Sequence, residues 1–245
     1  MINLGRWSAW ATRVERAALT ACIATFFIVG YFFVGLSRNP ARARELALPV
    51  DRHIPFIAGS VWVYLWAFSA ALIPLFMVRC PRLLRRTALA YTTVIAASLV
   101  CFTVFPVTSA RLRVPSWTLD TARLSDWAVS VVYYLDPPYN LFPSAHLSIA
   151  ATAALSVWKV ARPSGAAIFV GVGLVAVSVC TIKQHFLVDV IGGLVLAALA
   201  SALILRSYHP QIDTPPAYTW RGPVSYLFCL VLFYTGFYVA YLYMS

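Results

Sequence analysis

Seven long apolar runs constrain this chain more than anything else in it. Each is about 17–25 residues, the length a helix needs to cross the hydrocarbon core of a bilayer. Hydrocarbon offers no partner to a peptide group, so such a run folds as a helix that bonds its own backbone. A transmembrane barrel is excluded, because its strands alternate polar and apolar residues over short segments. Only 11% of the 245 residues are charged and 61% are hydrophobic. A soluble domain carries roughly a quarter charged residues. The expected fold class is all-α, a polytopic membrane bundle of about seven transmembrane helices. No internal repeat, low-complexity tract or composition break divides it, so 1–245 reads as one membrane-embedded domain.

The runs cover 17–36, 54–78, 88–107, 143 or 144–160, 165–181, 186–205 and 224–244. Residues 1–16 form a basic amphipathic lead whose Trp7 and Trp10 suit a membrane interface. A cleaved leader is the competing reading of this end. The first run is too long for a signal core, and no small-x-small site follows it. Pro55 and Pro74 lie near the ends of the second run, where membrane helices tolerate proline. Within the long connection 115–138, Leu124, Trp127, Val131 and Leu135 recur at spacings of three and four. That is the stripe of a helix lying on the membrane surface.

The net charge of +11 sits in the loops. Arginines there hold topology and meet anionic headgroups. No soluble basic domain exists to bind nucleic acid. Eleven Lys and Arg fall on the side of the N-terminus and eight on the other. The positive-inside rule counts cations, so the N-terminus is expected in the cytoplasm of a plasma or inner membrane. The five cysteines form no CxxC pair, so neither a zinc site nor a disulfide framework is indicated.

The chemistry concentrates between 139 and 193, which reads PPYNLFPSAHLSIA, an apolar run, then CTIKQHFLVDVIGG. His146 and His185 stand at the ends of apolar segments. Asp189 follows His185 by four residues, so a helix puts both on one face. With this topology His146, His185, Lys183, Arg111 and Arg113 all fall on the outer side. An imidazole can attack phosphorus and carry the phosphoryl group covalently. A carboxylate one turn away can hold its other nitrogen, fixing tautomer and orientation. That casts His185 as nucleophile and Asp189 as its orienting acid. A second histidine, His146, can protonate the departing oxygen and then activate water or an alcohol. Lys183, Arg111 and Arg113 can neutralise phosphate oxygens. Ser144 can cap the helix that Pro143 opens, or bond a phosphate oxygen at its positive end.

Each feature alone has a plainer reading. Pro-Ser commonly opens a helix, and a histidine at a membrane helix end is commonly an interfacial group. An H-x-x-x-D pair can be a structural hydrogen bond, and loop arginines can be headgroup anchors. Their concentration on one face is what favours a phosphoester enzyme. Two further classes stay open: a two-histidine haem protein or proton-coupled transporter, and a catalytically inactive lipid-binding protein. His185 and Asp189 are best used on each other, and the basic surroundings repel cations. No metal and no cofactor is therefore expected, and vanadate should inhibit.

PSAH at 143–146, followed by KQHFLVD at 183–189, resembles the type-2 phosphatidic acid phosphatase superfamily. The resemblance covers the third to the sixth span, a catalytic core of about 88–206 in a six-helix phosphatase-type fold, with 224–244 as an extra span. It implies a membrane lipid substrate, His185 as nucleophile, Asp189 as its orienting acid and His146 as acid/base. Lipid phosphate phosphatases usually carry Gly where this chain has Ala145. They also carry Arg six residues before the nucleophile, where it has Val179. The Lys-x6-Arg-Pro motif is incomplete: Arg113 is followed by Val114 and then Pro115, with no lysine upstream in register. Lys183-Gln184-His185 and Phe105-Pro106 are instead similar to the inositol-phosphorylceramide synthase branch. That implies transfer of a lipid headgroup to a polyol or lipid alcohol acceptor, with hydrolysis as the alternative. Because Val179 removes one cation, Lys183 is expected to replace it. On that reading Lys183→Ala should cost about a hundred- to a thousand-fold in turnover.

Overall fold

All regular helical structure is α or 3-10 in the computed structural model, which describes residues 4–37, 42–208 and 218–244, with side chains from residue 13 onward. The side chains of Trp7 and Trp10, and most of the sixth loop, lie outside the described residues. The α-helices are α1 (Leu4–Leu36), α2 (Val61–Ala70), α3 (Ile73–Met77), α4 (Pro81–Val104), α5 (Leu124–Leu135), α6 (Ala145–Trp158), α7 (Arg162–Thr181), α8 (Leu187–Ile204) and α9 (Arg221–Met244). Among the described residues, five segments are long and apolar enough to cross a membrane: Arg13–Leu36, Pro81–Val104, Arg162–Thr181, Leu187–Ser207 and Arg221–Met244. The all-α membrane fold read from the sequence stands, but two of the seven runs are built differently.

The second run is not one helix. Residues 54–57 run irregularly across the end of α7, where Ile57 N–H donates to Thr181 O at 3.0 Å, and Ala58–Ser60 form a 3-10 turn. Helix then forms at α2, breaks at 71–72 and resumes as α3. Pro74 accounts for the break, because it has no N–H to give to the carbonyl one turn back. Carbonyls left without a helical partner at the break and at the end of α3 are bonded by side chains. Tyr91 Oη donates to Ala71 O at 3.1 Å, and Arg16 Nη2 donates to Leu75 O and to Val78 O, the latter at 3.0 Å. Protein side chains thus take the place that water fills in a soluble protein.

The fourth run is a short helix at the centre. α6 packs against α2, α3, α4, α7 and α8. Its sequence, AHLSIAATAALSVW, is rich in small residues, which lets neighbouring helices approach closely. Ser148, Thr152 and Ser156 are buried, yet each returns its hydroxyl proton to a carbonyl three or four residues back. Gly193 of α8 lies directly against the start of α6. A Cβ there would fall 2.5 Å from Ser144 O. Only glycine allows that approach.

The third run begins at Pro81, seven residues earlier than expected, and its Arg85 and Arg86 are occupied. Arg85 pairs with Glu15, and Arg86 Nη1 donates to Ile204 O at 3.0 Å. A helix forms within the long connection as α5. Its buried face is Trp127, Ala128, Val129 and Val132, while Leu124 and Val131 are half-buried and Leu135 is exposed. The stripe is rotated because α5 packs on protein as well. Trp127 meets the rings of Phe237 and Tyr241 on α9, with centroids 6.3 and 5.5 Å apart.

Candidate active site

The site forms where α7 ends, α6 begins and α8 begins. Helix α7 stops in a turn that delivers the histidine. Gln184 N–H bonds Val179 O at 2.9 Å, and Lys183 N–H bonds Cys180 O at 3.1 Å. These are the two bonds of a Schellman motif, which needs a left-handed residue just past the helix. Lys183 fills that position with φ 59°, a conformation that costs a non-glycine residue about 1 kcal/mol or more. The reversal points Gln184 and His185 back toward α6.

Ser144 caps α6, and its own N–H donates to Asp189 O at 3.0 Å, so the starts of α6 and α8 are tied together. His185 Nε2 then lies 3.4 Å from Ser144 Oγ and 3.4 Å from His146 Nδ1. On the far side of the ring, His185 Nδ1 is 3.4 Å from Asp189 Oδ2. That carboxylate sits in the first turn of α8, where the helix end favours negative charge. It also accepts the Phe186 N–H at 2.9 Å. Both His185 and Asp189 are buried.

A second carboxylate completes the site, and sequence reasoning missed it. Asp136, buried at the end of α5, accepts hydroxyl bonds from Tyr31 of α1 and Tyr64 of α2. It also accepts Gln184 Nε2 at 2.6 Å. His146 Nε2 lies 3.2 Å from Tyr64 Oη and 3.8 Å from Asp136 Oδ2. The carboxyl is held below its ordinary value: burial alone would raise it, but nearby His146 and the three donors outweigh burial. An acid between two apolar segments is a sequence signal worth weighing. Tyr31 and Tyr64 left no such trace, and Gln184 entered only within the Lys183-Gln184-His185 run.

The expected phosphate ligands divide. Ser144 is within reach of His185 Nε2. Lys183 Nζ turns instead to loop carbonyls, Ile54 O and Asp51 O, the latter at 3.4 Å. Arg113 is drawn to the end of α5, where it donates to Tyr133 O at 3.0 Å and to Asp136 O. Its guanidinium also lies 4.5 Å over the Tyr133 ring. Burial lowers its pKa more than Asp136 and the nearby tyrosines raise it. Arg111 is exposed and lies 3.7 Å from Glu45. Asp51, also unremarked in the sequence, is buried and accepts the Leu187 and Leu48 N–H groups at 3.0 and 2.7 Å, fastening the first loop over α8.

An apolar groove of about 310 Å³ reaches this site from within the bundle. Ile23 and Phe27 of α1, Phe68 and Leu72 beside the break, and Tyr91 of α4 line it, with His146 at one end and Arg16 at the other. Between Arg16 and Ile28, α1 rises about 18 Å at 1.5 Å per residue. Among the described residues, no group of three or more His, Cys, Asp and Glu is placed to hold a metal ion.

No curated protein and no solved structure matches the chain. A family model described as the PAP2 superfamily matches residues 43–203, from the first loop through the end of α8. The match spans well over half of the sequence and takes in His146, His185, Asp136 and Asp189. With His146 at the end of an apolar groove, His185 beside it, and a family model matching about two thirds of its length, the chain belongs to the PAP2 superfamily of phosphatase-type membrane proteins.

Proposed function

We propose that this protein is a membrane lipid phosphoesterase working through a phosphohistidine at His185. The observation that carries the reading is one buried line of groups. Asp189 stands behind His185 Nδ1, and His185 Nε2 faces Ser144 Oγ and His146 Nδ1. In the first step, Nε2 attacks phosphorus and the phosphorus–oxygen ester bond breaks. The electron pair leaves with that oxygen, and His146 protonates it. In the second step, an alcohol or water gives its proton to His146 and attacks phosphorus, which releases His185. A phosphoryl group needs more room than 3.4 Å between the rings, so the histidines part as substrate enters. Ser144 and the positive end of α6 meet the phosphate first. Lys183, Arg111 and Arg113 join only if they leave their present partners.

The groove supports a lipid substrate. It offers hydrocarbon surface over about 18 Å, roughly one leaflet of a core about 30 Å thick. The headgroup would then lie at His146 on the outer side, with the N-terminus in the cytoplasm.

We favour transfer to a polyol or lipid alcohol, as in inositol-phosphorylceramide synthases, over release of phosphate. The Lys183-Gln184-His185 run and the burial of His185 support this, since bulk water has little access. The test incubates purified protein with radiolabelled phosphatidic acid, polyprenyl phosphate and phosphatidylinositol, with and without inositol, glycerol and ceramide. A labelled product that requires an acceptor supports transfer, and labelled phosphate supports hydrolysis. No product above a His185→Ala blank across the panel removes the reading and leaves a lipid-binding protein. Turnover should persist in chelator and fall with vanadate. Activity restored only by divalent metal would count against the mechanism.

A further inference from the structure

Asp136 is surrounded by donors, and counting their protons fixes the state of its neighbours. An ionised carboxylate only accepts hydrogen bonds, and a tyrosine hydroxyl has one proton to give. Tyr31 Oη donates to Asp136 Oδ1, while Tyr64 Oη and Gln184 Nε2 donate to Oδ2. With its proton spent on Asp136, Tyr64 oxygen can only accept from His146 Nε2, 3.2 Å away. That nitrogen must therefore carry hydrogen in both charge states of the ring. Nδ1 is left as the nitrogen that gains and loses a proton, and Nδ1 is the one facing His185 Nε2. The neighbouring cation does not compete for the carboxylate, because Arg113 donates to the carbonyl oxygens of Tyr133 and Asp136.

We infer that Asp136, acting through the Tyr64 hydroxyl, is a positioning residue for His146: it keeps the proton on Nε2 and reserves Nδ1 for the reacting oxygen. The inference rests on the phosphoesterase reading above. When His185 attacks, His146 Nδ1–H passes its proton to the oxygen that takes the electron pair of the broken ester bond. His146 is then neutral with Nε2–H in place, and its Nδ1 lone pair is ready for the proton of the incoming alcohol or water. Without the relay, a neutral ring can settle with its proton on Nδ1 and has no base to offer there.

A proton donor matters most when the leaving group is poor. The test compares two detergent-dispersed phosphate esters with the same lipid portion, one losing an alkyl alcohol and the other 4-nitrophenol. The rate of phosphoenzyme formation at His185 is read by rapid quench. Tyr64→Phe keeps the ring and deletes the relay, and Asp136→Asn keeps the shape and deletes the charge. General acid catalysis contributes about 10²–10⁴-fold, and misplacing the acid forfeits part of it. The nitrophenyl-to-alkyl rate ratio should therefore rise about 10- to 100-fold in Tyr64→Phe and move the same way in Asp136→Asn. Tyr31→Phe removes another bond to the same carboxylate but not the relay, so its ratio should stay at the wild-type value. A merely structural role lowers both rates together. A ratio unmoved in Tyr64→Phe, or moved equally by Tyr31→Phe, overturns the inference alone. A wild-type protein that forms no phosphoenzyme with either ester overturns the phosphoesterase reading and this inference with it.

Discussion

The two histidines each have a carboxylate beside the nitrogen turned away from the other, but the pairs are assembled differently. His185 and Asp189 are four residues apart, on either side of the start of α8, and face each other at 3.4 Å. His146 and Asp136 are joined through a tyrosine of another helix, and the same carboxylate gathers groups from α1, α2, the end of α5 and the turn between α7 and α8. The first pair is a local device, whose carboxylate serves one ring and the first turn of its own helix. The second serves a ring and also fastens the bundle where α1 and α2 meet it. Substitutions in the first pair should therefore act on chemistry alone, and those in the second on chemistry and stability together.

The largest effect should fall on the local pair. His185→Ala removes the atom that would hold phosphorus, so labelled phosphoenzyme should vanish and turnover should fall about 10⁴-fold or more. Turnover within tenfold of wild type would move the nucleophile elsewhere. Next comes Asp189→Asn. An amide fits the space but presents the wrong partner to Nδ1–H, and comparable changes cost about 10²–10⁴-fold. Thermal stability should barely change, because the remaining tie between α6 and α8 runs through backbone, from Ser144 N–H to Asp189 O. A large fall in melting temperature would erase the contrast between the pairs.

What could be read from the sequence follows the same division between local and distant. Apolar length gave the helices, and Pro143-Ser144 gave the start of α6, because a cap is a local event. The four-residue spacing gave Asp189. The break at 71–72 escaped, since a proline near a span end is tolerated whenever a neighbour can bond the freed carbonyls. Tyr91 does that at Ala71 O from α4, and Arg16 of α1 bonds the carbonyls that end α3. Asp136 escaped for the same reason, as its partners stand 105, 72 and 48 residues away. Lys183 shows the converse. Its reach was legible, but not the carbonyls of the first loop that take its ammonium.

That loop gives a smaller test. Lys183→Met keeps the length of the side chain and removes its donors. If the ammonium chiefly holds Ile54 O and Asp51 O, turnover should fall less than about tenfold, with a lower melting temperature from two carbonyls left without their charged donor. A loss of a hundredfold or more with unchanged melting would put the ammonium on phosphate during turnover. It would then add a cation to the His185 side of the site, which the resting geometry does not show.

The smallest effect concerns Asp136 and is read as stability against pH. Its carboxyl is held below the ordinary range: burial opposes this, and His146, Tyr31, Tyr64 and Gln184 more than compensate. A carboxyl whose folded pKa lies below its unfolded value, about 4, adds stability at higher pH. That contribution is lost as pH falls through the folded value. Wild type should therefore melt a few degrees above Asp136→Asn at pH 6–7, since about 1 kcal/mol moves a chain of this size roughly 2–4 °C. The gap should narrow as pH drops below about 4, because protonation removes from wild type the charge that the variant already lacks. The same scan on Asp189→Asn should show little gap at pH 6–7, because only the distant carboxylate ties separate helices together. A gap for Asp136→Asn that stays constant from pH 7 to pH 3 would mean the hydrogen bonds hold the bundle without the charge, leaving the carboxylate its part at His146 alone.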